Sequence, residues 1–203
     1  MDYHRLIELR KIISERMINE LNNLDDFKLN NYSLTGIHER LFKGIYFNNG
    51  GFRKFNISRE EPLLHNLSVD YADYHTIPIN MQFIYNDELK KDYHKMNQEE
   101  VVTNIASLAA KIWRVHPFND GNTRTTCIFV EKYLSSLGFT YNNEVFKDNA
   151  EYYRNALVKA NYKNYEYGIT GDLTPLINIY KKVELGWLSS WLRTFNILQK
   201  FSP

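Results

Sequence analysis

The clearest pattern of apolar and polar positions lies in the middle of the chain. Over residues 99–114 the apolar side chains recur at intervals of three and four, which places them on one face of a helix. Pro117 ends this pattern, because proline disfavours helical backbone in the residue before it. A second stripe runs from near Asn122 to Leu137, and Gly138 follows it as a predicted C-terminal cap. The middle of the chain is therefore predicted to hold two amphipathic helices joined by a short loop.

The rest of the chain adds further helices and one extended segment. Helical spacing also covers the stretches 4–22, 35–46, 77–93, 149–161 and 174–199. The stretch 52–75 differs, because its apolar positions fall into two short extended pieces around Pro62, and we predict a small hairpin there. The pattern therefore predicts a mainly α fold with one small β-hairpin.

Composition limits the class of protein. The chain has 203 residues, close to the size of one domain, and 43% of them are hydrophobic. A formal net charge of +1 without runs of like charge gives no reason to expect nucleic-acid or membrane binding. The single cysteine excludes an intramolecular disulfide, and the pattern predicts neither a signal peptide nor a membrane span. We therefore expect a cytoplasmic protein without nucleic-acid or membrane partners, although export that needs no cleaved signal stays open.

The loop between the two central helices contains residue types that suit an anion site. The backbone N–H groups of Gly121, Asn122 and Thr123 would lie at the N-terminus of the second helix. Unpaired N–H groups and the helix dipole together attract anions at such a position. The Asn122 side chain could donate as well, and Arg124 offers a planar fork of donors that matches phosphate oxygens. These residues predict a phosphate-binding loop.

Two further side chains of the loop suit catalysis. His116 ionises near neutral pH in the unperturbed state, so it could accept a proton from an attacking hydroxyl. Asp120 is a hard oxygen ligand, and Mg²⁺ in nucleotide sites often takes only one or two carboxylates besides phosphate oxygens. Phe118 is predicted to pin the loop to the core. Together they indicate a base and a metal ligand in one loop.

Structural interpretations compete with these assignments. Asp120 or Asn122 could simply cap the second helix, and a lone histidine before proline is usually a surface residue. The joint occurrence at fixed spacing between two helices favours the functional interpretation. Other side chains are interpreted structurally: surface histidines at His38, His65, His75 and His94, solvated charges at Arg53 and Arg59, and packing at Cys127, Trp187 and Trp191.

The residues from His116 to Arg124 read His-Pro-Phe-x-Asp-Gly-Asn-x-Arg, which resembles the signature of the Fic (filamentation induced by cAMP) family. Residues 34–42 are similar to the family's early helix and 51–58 to the segment that leads to its β-hairpin flap. Residues 68–74 resemble the flap itself, and 152–157 the helix that closes the nucleotide pocket. The resemblance covers about 34–160 of a single domain over 1–203. Residues 1–33 would then form an N-terminal helix, and 161–203 a C-terminal helical extension.

The resemblance implies a Fic-type helical bundle with a β-hairpin flap, and an activity. Such proteins are nucleotidyltransferases that move AMP from ATP, with Mg²⁺, to a Ser, Thr or Tyr hydroxyl of a target protein. By position, His116 would be the catalytic base and Asp120 the metal ligand. The implied nucleotide-binding residues are Gly121, Asn122, Thr123, Arg124 and Tyr153. The implied flap residues, which would align the target's backbone by strand addition, are Ser68, Val69, Asp70 and Tyr71.

The sequence departs from the family pattern at two positions. Many active members have glycine where Thr123 lies, and many have a second arginine where Cys127 lies, so a contact to the γ-phosphate is missing. The family's inhibitory motif matches neither 35–40 nor 140–145. We therefore expect no built-in inhibition, with either a separate small antitoxin-like inhibitor or weak activity. Transfer of the γ-phosphate, and a non-catalytic binding protein with the same fold, stay open as alternatives.

Overall fold

The fold is mainly α, as the sequence predicts. A computed structural model describes residues 3–23, 27–46 and 50–187. Within these ranges two short strands pair antiparallel, Phe139 with Trp187 and Thr140 with Gly186. The elements are α1 (Tyr3–Asn22), α2 (Asn31–Phe42), α3 (Ile77–Glu88), α4 (Gln98–Val115), α5 (Asn122–Ser136), β1 (Phe139–Thr140), α6 (Glu144–Asp148), α7 (Ala150–Asn161), α8 (Thr174–Lys182) and β2 (Gly186–Trp187).

Helix α4 lies at the centre of the fold. It begins with a capping box, in which the Asn97 side chain accepts from the Glu100 N–H at 3.0 Å and the Glu100 carboxylate accepts from the Asn97 N–H at 2.8 Å. It packs against α3, α5, α7 and α8. The apolar stripe seen in the sequence is buried here, with Ile105 and Ile112 fully covered. The predicted helix over 99–114 is confirmed.

A buried carboxylate fastens the N-terminal helix to the rest of the fold. Glu20 near the end of α1 accepts two hydrogen bonds from the Arg40 guanidinium, at 2.6 and 2.7 Å. Lys132 on α5 donates to the same carboxylate at 3.1 Å. Removal of either cation would leave Glu20 underpaired in the interior. The contacts therefore fix α1 against α2 and α5.

The flap segment, residues 52–75, is the largest departure from the prediction. It forms only one isolated antiparallel bridge, between Glu61 and Leu67, around a 3-10 turn at Pro62–Leu64. Its ends pair elsewhere, because the Arg53 N–H donates to the Pro117 carbonyl at 2.8 Å and the Ala72 N–H to the Arg114 carbonyl. These two contacts tie the segment to α4 and the following loop, so its two limbs do not form the predicted hairpin ladder.

Two predicted helices are shorter in the structure. The stretch 77–93 is helical only to Glu88, and the described part of 174–199 is helical only to Lys182, after which residues 186–187 pair as β2. Residues 188–203, with Trp191, lie outside the described residues, as does the side chain of Trp187. Among the helices that the structure describes, none combines the length and the apolar character needed to cross a bilayer.

Candidate active site

The end of α4 places His116 in a strained but well-bonded position. His116 is the C-terminal cap of α4 with a φ of 50°, and its backbone N–H donates to the Trp113 carbonyl at 3.1 Å. Its ring Nδ1 lies 3.1 Å from the same carbonyl oxygen. A carbonyl can only accept, so Nδ1 must carry the proton and Nε2 keeps a lone pair. This tautomer is the one that a general base requires.

The environment of His116 keeps the imidazole neutral. Only 5% of the residue is exposed. Burial is the main reason that the pKa of His116 falls to about 3, and the positive charges of Arg59, Arg53 and Arg154 lower it further. The imidazole is therefore unprotonated at neutral pH and can accept a proton.

The N-terminus of α5 supplies the predicted anion site, displaced by one residue. The Gly121 N–H donates to its neighbour's carboxylate, Asp120 Oδ1, at 2.7 Å. The backbone N–H groups of Asn122, Thr123 and Arg124 have no hydrogen-bond partner among the residues that the structure describes. In this structure Asp120 therefore occupies the Gly121 amide, whose role in nucleotide binding stays a prediction, and the three amides that follow it are available.

Gly121 is required for the shape of the loop. Its φ is 76°, and an added Cβ would lie 2.5 Å from the Phe42 ring. The adjacent Asn122 side chain closes the loop, because its Oδ1 accepts from the Phe118 N–H at 3.0 Å and its Nδ2 donates to the Phe118 carbonyl at 2.8 Å. The predicted side-chain donation from Asn122 to phosphate is therefore replaced by a loop contact. Phe118 is 1% exposed, which confirms its predicted role in pinning the loop.

Two charged side chains of the loop remain accessible. Asp120 is exposed, and among the residues that the structure describes only its Oδ1 accepts a hydrogen bond. A single carboxylate with a free oxygen suits Mg²⁺, which takes its other ligands from phosphate and water. Arg124 is held by a hydrogen bond of 2.9 Å to the Tyr46 hydroxyl, and its guanidinium lies 4.7 Å from the centre of the Phe42 ring.

The threonine that departs from the family pattern has a partner of its own. Thr123 Oγ1 accepts a hydrogen bond of 3.0 Å from the Trp113 indole N–H. The side chain thus connects the start of α5 to the last turn of α4, while its backbone N–H stays unpaired. The anion site therefore keeps its amide at Thr123.

His38, predicted as a surface residue, is buried beneath the loop, so that prediction is wrong. Its Nδ1 accepts from the Gly50 N–H at 2.8 Å, and its Nε2 donates to the Asp120 carbonyl at 3.1 Å. Its ring stacks on Phe118 with 3.8 Å between the centroids, and burial lowers its pKa to about 4. His38 therefore positions the carbonyl of Asp120. The sequence did hold one indication of this burial, because His38 follows Ile37 directly on the apolar face of α2.

Arg53 is also buried rather than solvated, which corrects the prediction. It is 2% exposed, and its Nε donates to the His116 carbonyl at 2.8 Å. Its two terminal nitrogens donate to the carbonyls of Phe55, Ala72 and Val115. One guanidinium thus joins both ends of the flap segment to the residue that carries the base.

A cavity of about 210 Å³ brings most of the predicted site residues together. Its lining consists of Arg59, Glu61, Tyr71, Trp113, His116, Asp120, Gly121, Asn122, Thr123, Arg124 and Arg154. Tyr71 lies over the base, with 4.2 Å between the ring centroids of Tyr71 and His116. Arg59 donates to the Asn119 carbonyl from the flap segment. Glu61, Arg59 and Arg154 were not predicted as members of the site.

The other predicted site residues lie outside this cavity. Ser68 and Val69 line, with Asp70 and Tyr71, a separate groove of about 1310 Å³. Asp70 is exposed there and lies 4.0 Å from Arg114. Tyr153 is buried and shares a hydrogen bond with the Tyr180 hydroxyl at 3.2 Å. Tyr153 lines a neighbouring, apolar cavity of about 280 Å³ between α1 and α5 to α7, and Thr123 and Arg124 line both cavities. Its contact with nucleotide stays a prediction.

Comparison with protein families gives a match to the model of the Fic/DOC family over residues 28–134. The match spans the loop, both central helices and the flap segment. The chain belongs to the Fic/DOC family. Comparison with curated protein sequences gives no match.

Solved Fic domains share the fold at low sequence identity. The N-terminal Fic domain of a VirB-translocated Bep effector from Bartonella quintana is 18% identical, with a TM-score of 0.70 over 97% of this chain and 89% of that chain. The BepC protein of Bartonella tribocorum, solved with bound AMPPNP, is 17% identical, with a TM-score of 0.66 over 90% of this chain and 88% of that chain. The Bartonella quintana domain solved with bound ADP has 18% identity and a TM-score of 0.67 over 91% of this chain and 88% of that chain.

Proposed function

We propose that this chain transfers AMP from ATP to a hydroxyl side chain of a target protein. The observation that carries the proposal is one cavity in which the free Nε2 of a neutral His116 lies beside an unpaired helix N-terminus. Membership of the Fic/DOC family supports a transferase. Two Fic domains of similar fold bind AMPPNP and ADP, which supports a nucleotide as the donor.

The loop offers a place for each part of the nucleotide's phosphate chain. The backbone N–H groups of residues 122–124 would bind phosphate oxygens at the positive end of the α5 dipole. Arg124, preset by Tyr46 and Phe42, would donate to a neighbouring phosphate. Asp120 would hold Mg²⁺ through its free oxygen, and the ion would neutralise part of the phosphate charge.

The transfer itself would use one proton acceptor. His116 Nε2 would take the proton from the target hydroxyl, whose oxygen would then bond to the α-phosphorus. The bond from that phosphorus to the oxygen bridging to the β-phosphate would break, and pyrophosphate would leave with its electron pair. The unpaired amides of α5 would stabilise the charge that develops on the phosphate oxygens.

The flap segment would present the target. Ser68, Val69 and Asp70 lie along a groove of about 1310 Å³, and Tyr71 lines both that groove and the cavity of His116. A target chain in the groove would therefore approach the base past Tyr71. The identity of the target, the cytoplasmic location and a separate inhibitor protein remain predictions.

Labelled ATP tests the proposal. The protein is incubated with cell lysate and Mg²⁺, with the label on either the α- or the γ-phosphate. We expect only the α-label on the target, and a mass increase of one AMP on a hydroxyl residue. His116→Ala should abolish the transfer and leave nucleotide binding nearly intact, because it removes the base and not the phosphate contacts. His4→Ala on α1 is the matched control, because that histidine lies outside the cavity.

Transfer of the γ-phosphate is the second candidate, and one observation favours it. Cys127, where many family members have arginine, is buried and donates to Glu131 at 3.2 Å. That position thus brings no cation to fix the far end of a triphosphate, and a reversed nucleotide becomes possible. A target that carries the γ-label and not the α-label would replace the first proposal with this one.

A further inference from the structure

An ion pair forms one wall of the cavity that contains His116. Arg154 on α7 reaches Glu61 of the flap segment, with 2.7 Å between Arg154 Nη2 and Glu61 Oε2. The Glu61 side chain is 1% exposed, whereas 41% of the Arg154 side chain is exposed. Neither oxygen of Glu61 has a well-directed hydrogen bond among the residues that the structure describes, so the 2.7 Å contact is a charge contact. The pair therefore joins a buried anion to a cation that solvent and ligands can reach.

This pairing leaves Arg154 poorly satisfied. A guanidinium carries five N–H donors, and within the described part of the chain Arg154 makes its polar contact through Nη2 alone. A buried carboxylate with one off-axis partner is costly, because the loss of hydration is only partly offset by the contact. Both partners of the pair would therefore gain from better hydrogen bonds.

Arg154 faces the same cavity as the anion site. Its charge acts on His116, and the cavity is shared with Arg124 and with the unpaired amides of α5. The cavity holds about 210 Å³, less than the roughly 300–1,000 Å³ typical of small-molecule sites. Thr123 and Arg124 also line the neighbouring cavity of about 280 Å³, so the nucleotide could extend from one cavity into the other. A phosphate bound beside the α5 amides would share its cavity with the Arg154 guanidinium.

We propose that Arg154 is a phosphate ligand that exchanges its partner when nucleotide binds. In the empty cavity Glu61 holds the guanidinium, and a bound phosphate takes it from Glu61 in a bidentate contact. The inference rests on the proposed function, because it requires that the cavity receives a nucleotide. In this proposal Arg154 on α7 supplies the positive charge that many family members carry at the position of Cys127 on α5.

The released carboxylate has a neighbouring donor. The Tyr71 hydroxyl is buried and has no well-directed hydrogen bond in the described part of the chain. Burial raises the pKa of Tyr71, and the nearby charge of Glu61 raises it further. Tyr71 can therefore donate to Glu61 once Arg154 has turned to the phosphate. The exchange would couple nucleotide binding to the residue that lies over His116.

Isothermal titration of Mg²⁺ and AMPPNP tests the exchange without any transfer reaction. Arg154→Ala should raise the Kd about tenfold or more, the effect of losing one charge-assisted hydrogen bond. Arg154→Lys keeps the charge without the planar fork and should recover part of the loss. Glu61→Gln should lower the Kd severalfold, because it removes the competitor for Arg154. Lys159→Ala, an exposed cation on the same helix, is the matched control and should leave the Kd unchanged.

A double-mutant cycle separates competition from a structural role. In the Arg154→Ala background, Glu61→Gln should no longer tighten binding, because the competition has gone. Glu61→Gln that weakens binding in a folded protein, or Arg154→Ala without effect, would overturn the proposal. If the parent protein binds AMPPNP in either of these cases, only this inference fails. A parent protein that binds no nucleotide would overturn the proposed function and this role together.

Discussion

Acidification should act on three buried side chains in opposing senses. Burial lowers the pKa of His38 to about 4 and that of His116 to about 3, from 6.5 in each case. Burial raises the pKa of the Glu131 carboxyl from 4.5 to about 8. Below pH 6.5 both histidines are protonated in the unfolded chain but stay neutral in the native state. Acid therefore lowers the free energy of unfolding through the two histidines. Above pH 4.5 the Glu131 carboxyl is ionised in the unfolded chain but stays protonated in the native state up to about pH 8. Acid therefore raises the free energy of unfolding through Glu131.

The magnitudes follow from these pKa values. Between pH 8 and pH 5 each histidine should cost about 2 kcal/mol of unfolding free energy. Over the same interval Glu131 should contribute about 3–4 kcal/mol in the other direction. The two effects oppose each other. We therefore expect the stability of the parent protein to depend less on pH than either contribution alone would make it, although three buried groups titrate.

Urea unfolding at several pH values measures each effect. Glu131→Gln removes the opposing group, so this variant should lose about 4 kcal/mol between pH 8 and pH 5. His38→Gln removes one histidine, so that variant should instead become more stable, by about 1–2 kcal/mol, between pH 8 and pH 5. Each variant is compared with itself at another pH, so its own change in stability does not matter. A constant dependence on urea across the series is the control for two-state unfolding.

One result would refute the reasoning. If Glu131→Gln kept the pH profile of the parent, then Glu131 would not retain its proton in the native state. The carboxyl would then reach water or an undetected cation, in conflict with its burial beside Cys127. Likewise, an unchanged profile in His38→Gln would mean that the imidazole under the loop can be protonated without loss of structure.

Three substitutions test the geometry of the loop. Arg53→Lys should cost about 2–4 kcal/mol in thermal unfolding, because several carbonyls lose a charged donor. Gly121→Ala should cost at least about 1–3 kcal/mol from backbone strain and should reduce the transfer, because its Cβ would meet Phe42 at 2.5 Å. Thr123→Val should cost about 1–3 kcal/mol in urea unfolding, since the Trp113 indole N–H loses its acceptor.

For each of these substitutions, one result would contradict the role that we assign to the residue. Thr123→Ser retains the hydroxyl and is the control, so equal losses in the serine and valine variants would contradict the role of the hydrogen bond. Full activity in Gly121→Ala would show that the loop tolerates a side chain at this position. A stable Arg53→Lys protein with normal transfer would show that the guanidinium does not position His116.

The helices could be predicted where apolar residues recur at helical spacing along the sequence. The stripe of α4 and the proline after it fix one helix and its end, because a helix buries every third or fourth residue. The flap segment could not be predicted in this way. Its backbone bonds lead to Pro117 and Arg114, some forty to sixty residues away, so no local pattern shows that its two limbs stay apart.

In the site, too, local residue patterns could be predicted from the sequence, whereas contacts between distant residues could not. The residue types of the loop predict a base, a carboxylate and an anion site in one place, and the structure brings them to one cavity. The residues that hold the loop were misread, because their partners are distant in sequence. Arg53 lies 63 positions from His116, and His38 lies 82 positions from Asp120. Neither histidine nor arginine reveals burial by its type, since both usually lie at the surface.

The lowered pKa of His116 has a consequence for when the base can act. Burial is its main cause, and three nearby guanidiniums repel the imidazolium further. A bound triphosphate would oppose that repulsion, because its negative charge favours the protonated ring. The imidazole would therefore become a stronger base only with nucleotide in place, as the proposed transfer requires. If Arg154 also turns from Glu61 to the phosphate, its charge is offset in the same step, so nucleotide binding and activation of the base share one cause.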